Sequence, residues 1–249
     1  MIVQGKMVEI SELNQVHRSR LYSLMNTFYD DATPEAFHRD LEEKDHCILL
    51  LDEGGTIQGF STQKVLQVQA QGRQVTGVFS GDTIIHPEHW GSLELFRVFV
   101  RHFIAGRKMD DSQEPFYWFL ISKGYKTYKM LPLFFNDFFP DYRRITPAFE
   151  RAVIHAFGHS RYPDEYDPDT RVIRYAGTKD KLKPGVADVT ERHRRDPHVS
   201  FFLESNPDYA QGNDLVCLTR LAEDNLNRTA QRLFLGKRQD SSHETGPGP

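Results

Sequence analysis

Cysteine is scarce in this chain: Cys47 and Cys217 are the only two among 249 residues. Each sits in an apolar, strand-like stretch, so buried free thiols in a reducing cytoplasm are expected rather than a disulfide framework. Long apolar runs are missing too. No stretch approaches the ~20 residues that span a bilayer, and the opening Met1-Ile2-Val3-Gln4-Gly5-Lys6 lacks the charged-then-apolar pattern of a signal peptide. Positive charge is not in excess: 31 Lys and Arg against 35 Asp and Glu leave a net charge of −4, without the basic footprint that nucleic acid demands. The local run Arg192, Arg194 and Arg195 reads as a solvated surface. Also absent are a Walker loop, a dinucleotide fingerprint and an internal repeat, and Ser80-Gly81-Asp82 lacks the flanking glycines of a nucleophile elbow.

What is present is an ordinary globular balance, 39% hydrophobic and 27% charged, in a chain long enough for one substantial core. A single domain over 1–237 is expected, with a core near 5–145, a C-terminal extension over about 146–237 and a disordered tail at 238–249, where the composition turns to Gly and Pro. The spacing of Val16, Leu21, Leu24, Met25 and Phe28 predicts a helix over Gln15 to Phe28. A second begins at Thr33-Pro34-Glu35-Ala36, with Thr33 as cap and Pro34 in the first turn, and ends near Glu43-Lys44. Three strands follow as a meander: His46 to Leu51, Ile57 to Gln69, and Gln74 to His86, which stops at Pro87 and should be central. Trp90, Leu93, Phe96, Val100 and Phe103 then predict a helix from about His89 to Ala105. Phe116 to Ile121 reads as a buried strand, Thr146 to Phe157 as a helix, and Arg171 to Tyr175 and Asp214 to Leu218 as strands. Ala176 to Asn213 shows no assignable pattern.

The order of two helices, a meander, then strand–Pro–helix–strand resembles the GNAT acyltransferases, over roughly residues 5 to 145. The tract Leu133-Phe134-Phe135-Asn136-Asp137-Phe138-Phe139-Pro140 also looks like a little-characterised bacterial branch of GNAT-like proteins. The resemblance implies an α/β (α+β) fold with a mixed, mostly antiparallel twisted sheet flanked by helices. It further implies that Ile84, Ile85, His86, Trp90, Gly91, Ser92 and Leu93 hold the donor, with unpaired N–H groups at the N-terminus of the helix after Pro87 facing phosphate. The family motif is Arg or Gln, two residues, Gly, one residue, then Gly or Ala. Anchored on Pro87, those positions fall on Trp90, Leu93 and Leu95; shifted by two, on Glu88, Gly91 and Leu93. Neither register supplies both glycines, and a side chain there hinders close approach to phosphate.

The implied reaction is direct transfer of an acyl group from an acyl-CoA or an acyl-carrier-protein thioester to an amine on a small molecule or a peptide. Asp82, a carboxylate in an apolar strand and expected to be largely buried beside the gap between the fourth and fifth strands, is the candidate base; a structural acid is its other reading. Tyr125 and Tyr128 are the tyrosines available to protonate the leaving thiolate, and core packing is the other reading for Tyr128. The aromatics of Phe116 to Phe139 line an acyl tunnel or form plain core. His86, Glu88 and His89 cluster at a strand–helix turn, where their directions need not converge, so no metal is expected. Two functions remain open: a transferase, or a GNAT-shaped module that binds an acyl or pantetheine ligand, or a protein partner, without turnover.

Overall fold

A computed structural model describes residues 3–106, 114–176, 180–186 and 188–236. The tail over 238–249 lies outside the described residues. Six long strands carry the fold: β1 (Val3–Glu9), β2 (His46–Asp52), β3 (Ile57–Ala70), β4 (Arg73–Ile85), β5 (Phe116–Ser122) and β6 (Asp214–Arg220). They lie side by side in that order, and the two-residue strands Val172–Ile173 and Tyr166–Asp167 continue the sheet beyond β6. Every pairing in this sheet is antiparallel except β4 with β5, which is parallel from Thr76–Phe116 to Ser80–Leu120. The expected C-terminal extension is thus woven into the sheet: its strand β6 is the partner that leaves β5 with no free edge.

The helices form because local chemistry starts them cleanly. α1 (Gln15–Phe28) begins where Asn14 accepts a hydrogen bond from the His17 N–H, and α2 (Pro34–Glu42) where Thr33 accepts one from Ala36 with Pro34 in the first turn. Val16 departs from the expected apolar face: it is 76% exposed, because Leu21, Leu24, Met25 and Phe28 alone face the sheet. Between β4 and β5 lies α3 (Glu94–Val100), prolonged by a wider turn through Ala105. After β5 come α4 (Tyr125–Tyr128), α5 (Met130–Phe134) and α6 (Ala148–Arg161), which runs four residues past the expected end at Phe157. The stretch without a readable pattern holds α7 (Glu191–Arg194) and α8 (Pro197–Ser205), and α9 (Arg228–Leu235) closes the described chain. The second of these, α8, has a local start signal, Asp196 capping with Pro197 following, which its short length and shifting polarity concealed.

One face of the sheet packs against α3, α5, α8 and α9, where Phe96 stacks on Phe134 at 4.6 Å and meets Phe234 at 5.0 Å. The opposite face is covered by α1 and α2 at one side and by α6 at the other. Gly77 of β4 lets the α6 residue Phe157 come close; a Cβ there would lie 2.7 Å from the Phe157 ring. Both cysteines are free and buried, and burial pushes each thiol up to about 12. Neither should react with a thiol reagent near pH 8 while the chain is folded, and both should react in denaturant; native-state labelling of either would contradict this packing. Replacing the fully buried Phe157 by Ala should lower the free energy of unfolding by roughly 3–5 kcal/mol in urea titration.

Candidate active site

Pairing between β4 and β5 stops at Ser80–Leu120, although β4 continues to Ile85 and β5 to Ser122. Beyond that point β4 stays with β3, through Ile84–Phe60 and Ile85–Gly59, while β5 stays with β6, through Ser122–Leu215. The strands therefore part. A bulge in β4 marks the place: the register steps from Gln63–Ser80 to Ser61–Thr83, so Gly81 and Asp82 together oppose Thr62. Such an extra residue bends its strand and interrupts the ladder of hydrogen bonds. Gly81 is required there, since a Cβ would lie 2.6 Å from Thr62 Oγ1 and 2.8 Å from Lys44 Cε. Just before the gap, the Trp118 indole N–H donates to Ser80 Oγ at 2.8 Å and ties the two strands together.

A cavity of about 550 Å³ runs through the opening. On the α3 face its wall is apolar: Ile48, Leu95, Phe96, Phe99, Trp118 and Leu120. On the other face it is lined by Phe79, tyrosines 29, 162 and 175, and a set of charged groups. The lining carboxylates are Asp31, Asp40, Asp82, Asp180 and Asp214; the lining cations are Arg39, Lys123 and Lys126. Asp40 is held by Lys44 at 2.5 Å and by Arg161 at 3.2 Å. Lys123, at the end of β5, lies 3.2 Å from Asp180 and 3.7 Å from Asp214, with its ammonium 5.5 Å from the Tyr175 ring centre and 6.0 Å from that of Tyr29. The Tyr175 hydroxyl donates to Asp214 at 2.9 Å. Burial, reinforced by the charges of Asp82, Asp180 and Asp214, raises the Tyr29 phenol well above its ordinary value. Burial and Asp214 do the same to Tyr175. These phenols therefore keep their protons and act as donors and ring faces. Among the described residues, no group of three or more His, Cys, Asp or Glu is placed to hold a metal ion.

The residues singled out in the sequence fall in different places. Asp82, on the bulge, lines the cavity and is partly buried. Ile85, Trp90, Ser92 and Leu93 also line it, and Ile84 lines an adjoining cavity of about 390 Å³ that shares Tyr29, Lys123 and Lys126. His86 and Gly91 line neither. The expected helix start at Trp90-Gly91-Ser92 is instead a short turn: Pro87 launches a single 3-10 turn, and the helix proper begins at Glu94. Trp90 is 51% exposed, not packed as its spacing suggested, since its indole N–H reaches back to the Ile85 carbonyl at 2.8 Å. Gly91 makes no close approach to anything, as a Cβ there would meet open space. Glu94 occupies the first turn of α3 and pairs with Arg97.

Tyr125 and Tyr128 do not line either cavity. The Tyr125 hydroxyl pairs with His193 Nδ1 at 3.1 Å. Tyr128 is fully buried and donates to the Pro140 carbonyl at 3.0 Å, with its phenol shifted strongly upward by burial. Of the aromatic tract, Trp118 meets the cavity, whereas Phe134, Phe135, Phe138 and Phe139 are core. The sequence reading did not find Tyr29, Lys123, Tyr162, Tyr175, Asp180 and Asp214. Lys123 carried a signal, a cation directly after an apolar strand; the last three stand in or beside the unpatterned stretch, where nothing announced them.

No family model matches the sequence, and no curated protein matches it. Among solved structures, it is similar to a probable N-acyltransferase of Enterococcus faecalis (14% identity, TM-score 0.41), covering 55% of this chain and 33% of that one. A GNAT family N-acetyltransferase of Escherichia coli in complex with CoA matches at 13% identity and a TM-score of 0.36, over 52% of this chain and 68% of that one. The N-myristoyltransferase of Saccharomyces cerevisiae with bound myristoyl-CoA matches at 14% identity and 0.36, over 49% and 29%. The chain thus spans about a third of the length of the Enterococcus protein. The sheet is mixed and mostly antiparallel and is flanked by helices, as expected, with one parallel pair among the described residues and an opening beyond it.

Tyr128→Phe should expose what that hydroxyl does. It leaves the buried Pro140 carbonyl without its donor, so unfolding free energy should fall by roughly 1–3 kcal/mol, with any transfer activity within a few-fold of wild type. A large loss of turnover at unchanged stability would restore Tyr128 as the acid.

Proposed function

We propose that this chain transfers an acyl group from a thioester directly to an amine inside the cavity that crosses the sheet between β4 and β5. The observation that carries the reading is the placement of Asp82, on a bulge at the edge of the opening, between an apolar wall and a wall of tyrosines and carboxylates. The acyl chain occupies the apolar side, beside Ile48, Phe96, Phe99 and Trp118. The acceptor amine enters from the other side and meets the thioester carbonyl at the gap.

The balance of the reaction assigns the roles. An ammonium gives up one proton to become a nucleophile, the C–N bond forms as the C–S bond breaks, and nitrogen sheds a second proton. The thiolate takes one proton, so one is released overall. Asp82 accepts from the amine. Hydrogen-bond donors on the cavity wall bear the negative charge that develops on the carbonyl oxygen. Proton return to the thiolate is assigned to Lys123, which follows β5 directly and lines the cavity. The donor is an acyl-CoA or an acyl carrier protein, its thioester end at the gap, while Gly91, which lines neither cavity, gives no ready cradle for a pyrophosphate.

That missing cradle favours a second reading, a module that holds an acyl or pantetheine ligand without turnover. Thiol release from a panel of acyl-CoA and acyl-carrier donors with mixed amines separates the two. Asp82→Asn should reduce thiol release by roughly a hundred- to ten-thousandfold while donor affinity stays the same. Donor binding without thiol release for any amine would select the binding module, and an unimpaired Asp82→Asn would remove Asp82 as base.

A further inference from the structure

The apolar side of the cavity is interrupted by a short polar line. Ile48 pairs with Ser61, Ser61 with Thr83, and Gln63 with Ser80. Directly paired residues share a face of the sheet, so these side chains stand with Ile48 on the α3 face. Ser80 and Thr83 lie on either side of the Gly81–Asp82 bulge, and Ser61, Ser80 and Thr83 all line the cavity. Ser80 is 8% exposed, and its Oγ accepts the Trp118 indole N–H at 2.8 Å. Ser61 is 7% exposed, and its Oγ accepts the Gln63 amide N–H at 2.9 Å. One further hydrogen bond, of 2.8 Å, joins Ser61 Oγ to Thr83 Oγ1.

These hydroxyls hold more protons than they have acceptors. The Ser80 hydroxyl proton has no acceptor among the described residues. Ser61 and Thr83 carry two hydroxyl protons and share one bond, so whichever of them donates, one O–H of the pair is left over. In both places a buried N–H points at a serine oxygen, which strengthens that hydroxyl as a donor. A buried hydroxyl such as Ser80 requires an acceptor. Neither the Ile48, Leu95 and Phe96 side chains on this wall nor the methylenes of an acyl chain provide one.

We infer that Ser80 and the Ser61–Thr83 pair form a two-donor hydroxyl site for the carbonyl oxygen of the thioester. The inference rests on the transferase reading, which it deepens by naming the donors. As the amine attacks the carbonyl carbon, the π pair moves onto oxygen, where the two O–H groups stabilise it. The pair returns as the C–S bond breaks and the thiolate leaves, and no proton leaves either hydroxyl. Oxygen held on the α3 face leaves the carbonyl carbon open to an amine from the opposite face.

The test is isotope-edited infrared spectroscopy of the full chain with octanoyl-pantetheine, carrying carbon-13 at the thioester carbonyl. This probe is the portion that acyl-CoA and acyl-carrier donors share. Binding to wild type should move the carbonyl band to lower frequency, because accepted hydrogen bonds weaken the C=O bond. Ser80→Ala, and separately the double variant Ser61→Ala with Thr83→Val, should each return the band part of the way to that of the free thioester. Either single change within the pair leaves one O–H in place and should displace the band less than the double. Ser80→Thr, which keeps the hydroxyl, should retain the wild-type band. In thiol release, Ser80→Ala and the double variant should each lower kcat by roughly a hundred- to a thousandfold with KM within a few-fold. Should Ser80→Ala unfold because the Trp118 N–H loses its acceptor, the double variant carries the test. A probe that does not bind, a bound band equal to the free one, or a wild-type band in either folded variant overturns the inference. A displaced band that relaxes in the variants, with no thiol released to any amine, upholds the carbonyl site and removes the transferase reading. Thiol release at the wild-type rate in the folded variants does the reverse.

Discussion

Everything at the centre of this molecule follows from two strands that stop pairing. β4 and β5 run parallel for the five rungs from Thr76–Phe116 to Ser80–Leu120, and then each keeps faith with its outer neighbour. A parallel pair has no hairpin to hold its ends, and the bulge at Gly81–Asp82 bends β4 toward β3 where the last rung is made. The opening is stable because its rims are secured from outside. Lys44 and Thr62 pack against the bare Gly81, and the Trp118–Ser80 hydrogen bond fixes the last closed rung. A hole in a sheet otherwise strands backbone polar groups in a dry interior; here the groups face a cavity that a polar ligand can enter.

The two sides of that cavity have different origins. The apolar side is assembled from β2, α3 and β5, elements whose packing is dictated by the core they share. Most of the polar side comes from farther along the chain: Tyr162 at the end of α6, Tyr175, Asp180, and Asp214 at the start of β6. The short pairing of Lys181–Leu182 with Tyr29–Asp30 brings this later segment against the end of α1. The N–H of Lys183 donates to the Phe28 carbonyl and continues the attachment. Tyr29 is thereby placed beside Asp180 and Asp214 although it lies far from both in sequence.

How far the sequence could be read depends on whether a residue's role is local. α1 declares itself by the spacing of Leu21, Leu24, Met25 and Phe28, α2 by its Thr33 cap and Pro34, and the meander because its turns carry Gly54-Gly55 and Gly72. Asp82 was legible as a carboxylate where a strand should have none. Its seat on a bulge was not, since the bulge is a mismatch between two strands and has no signature in either alone. Trp90 has helical spacing with Leu93 and Phe96 yet stands outside α3, because its indole finds the Ile85 carbonyl five residues back. Tyr128 looks like any tyrosine beside an active site until its hydroxyl is seen to donate to the Pro140 carbonyl. The tyrosine–carboxylate wall is the least legible of all, being built from residues whose meeting is decided by the final strand of the sheet.

That last dependence has a consequence during synthesis. As the chain leaves the ribosome, β1 to β4, α3 and β5 emerge first and can establish the apolar side while Asp214 has yet to be made. Until β6 arrives, β5 presents an unpaired edge next to an open seam, the kind of edge that recruits other strands. The half-made protein is therefore exposed to wrong partners through the same seam that opens into the cavity of the finished one. Docking of β6 closes the edge and delivers Asp214 to the cavity in a single event, so protection from aggregation and completion of the polar wall arrive together.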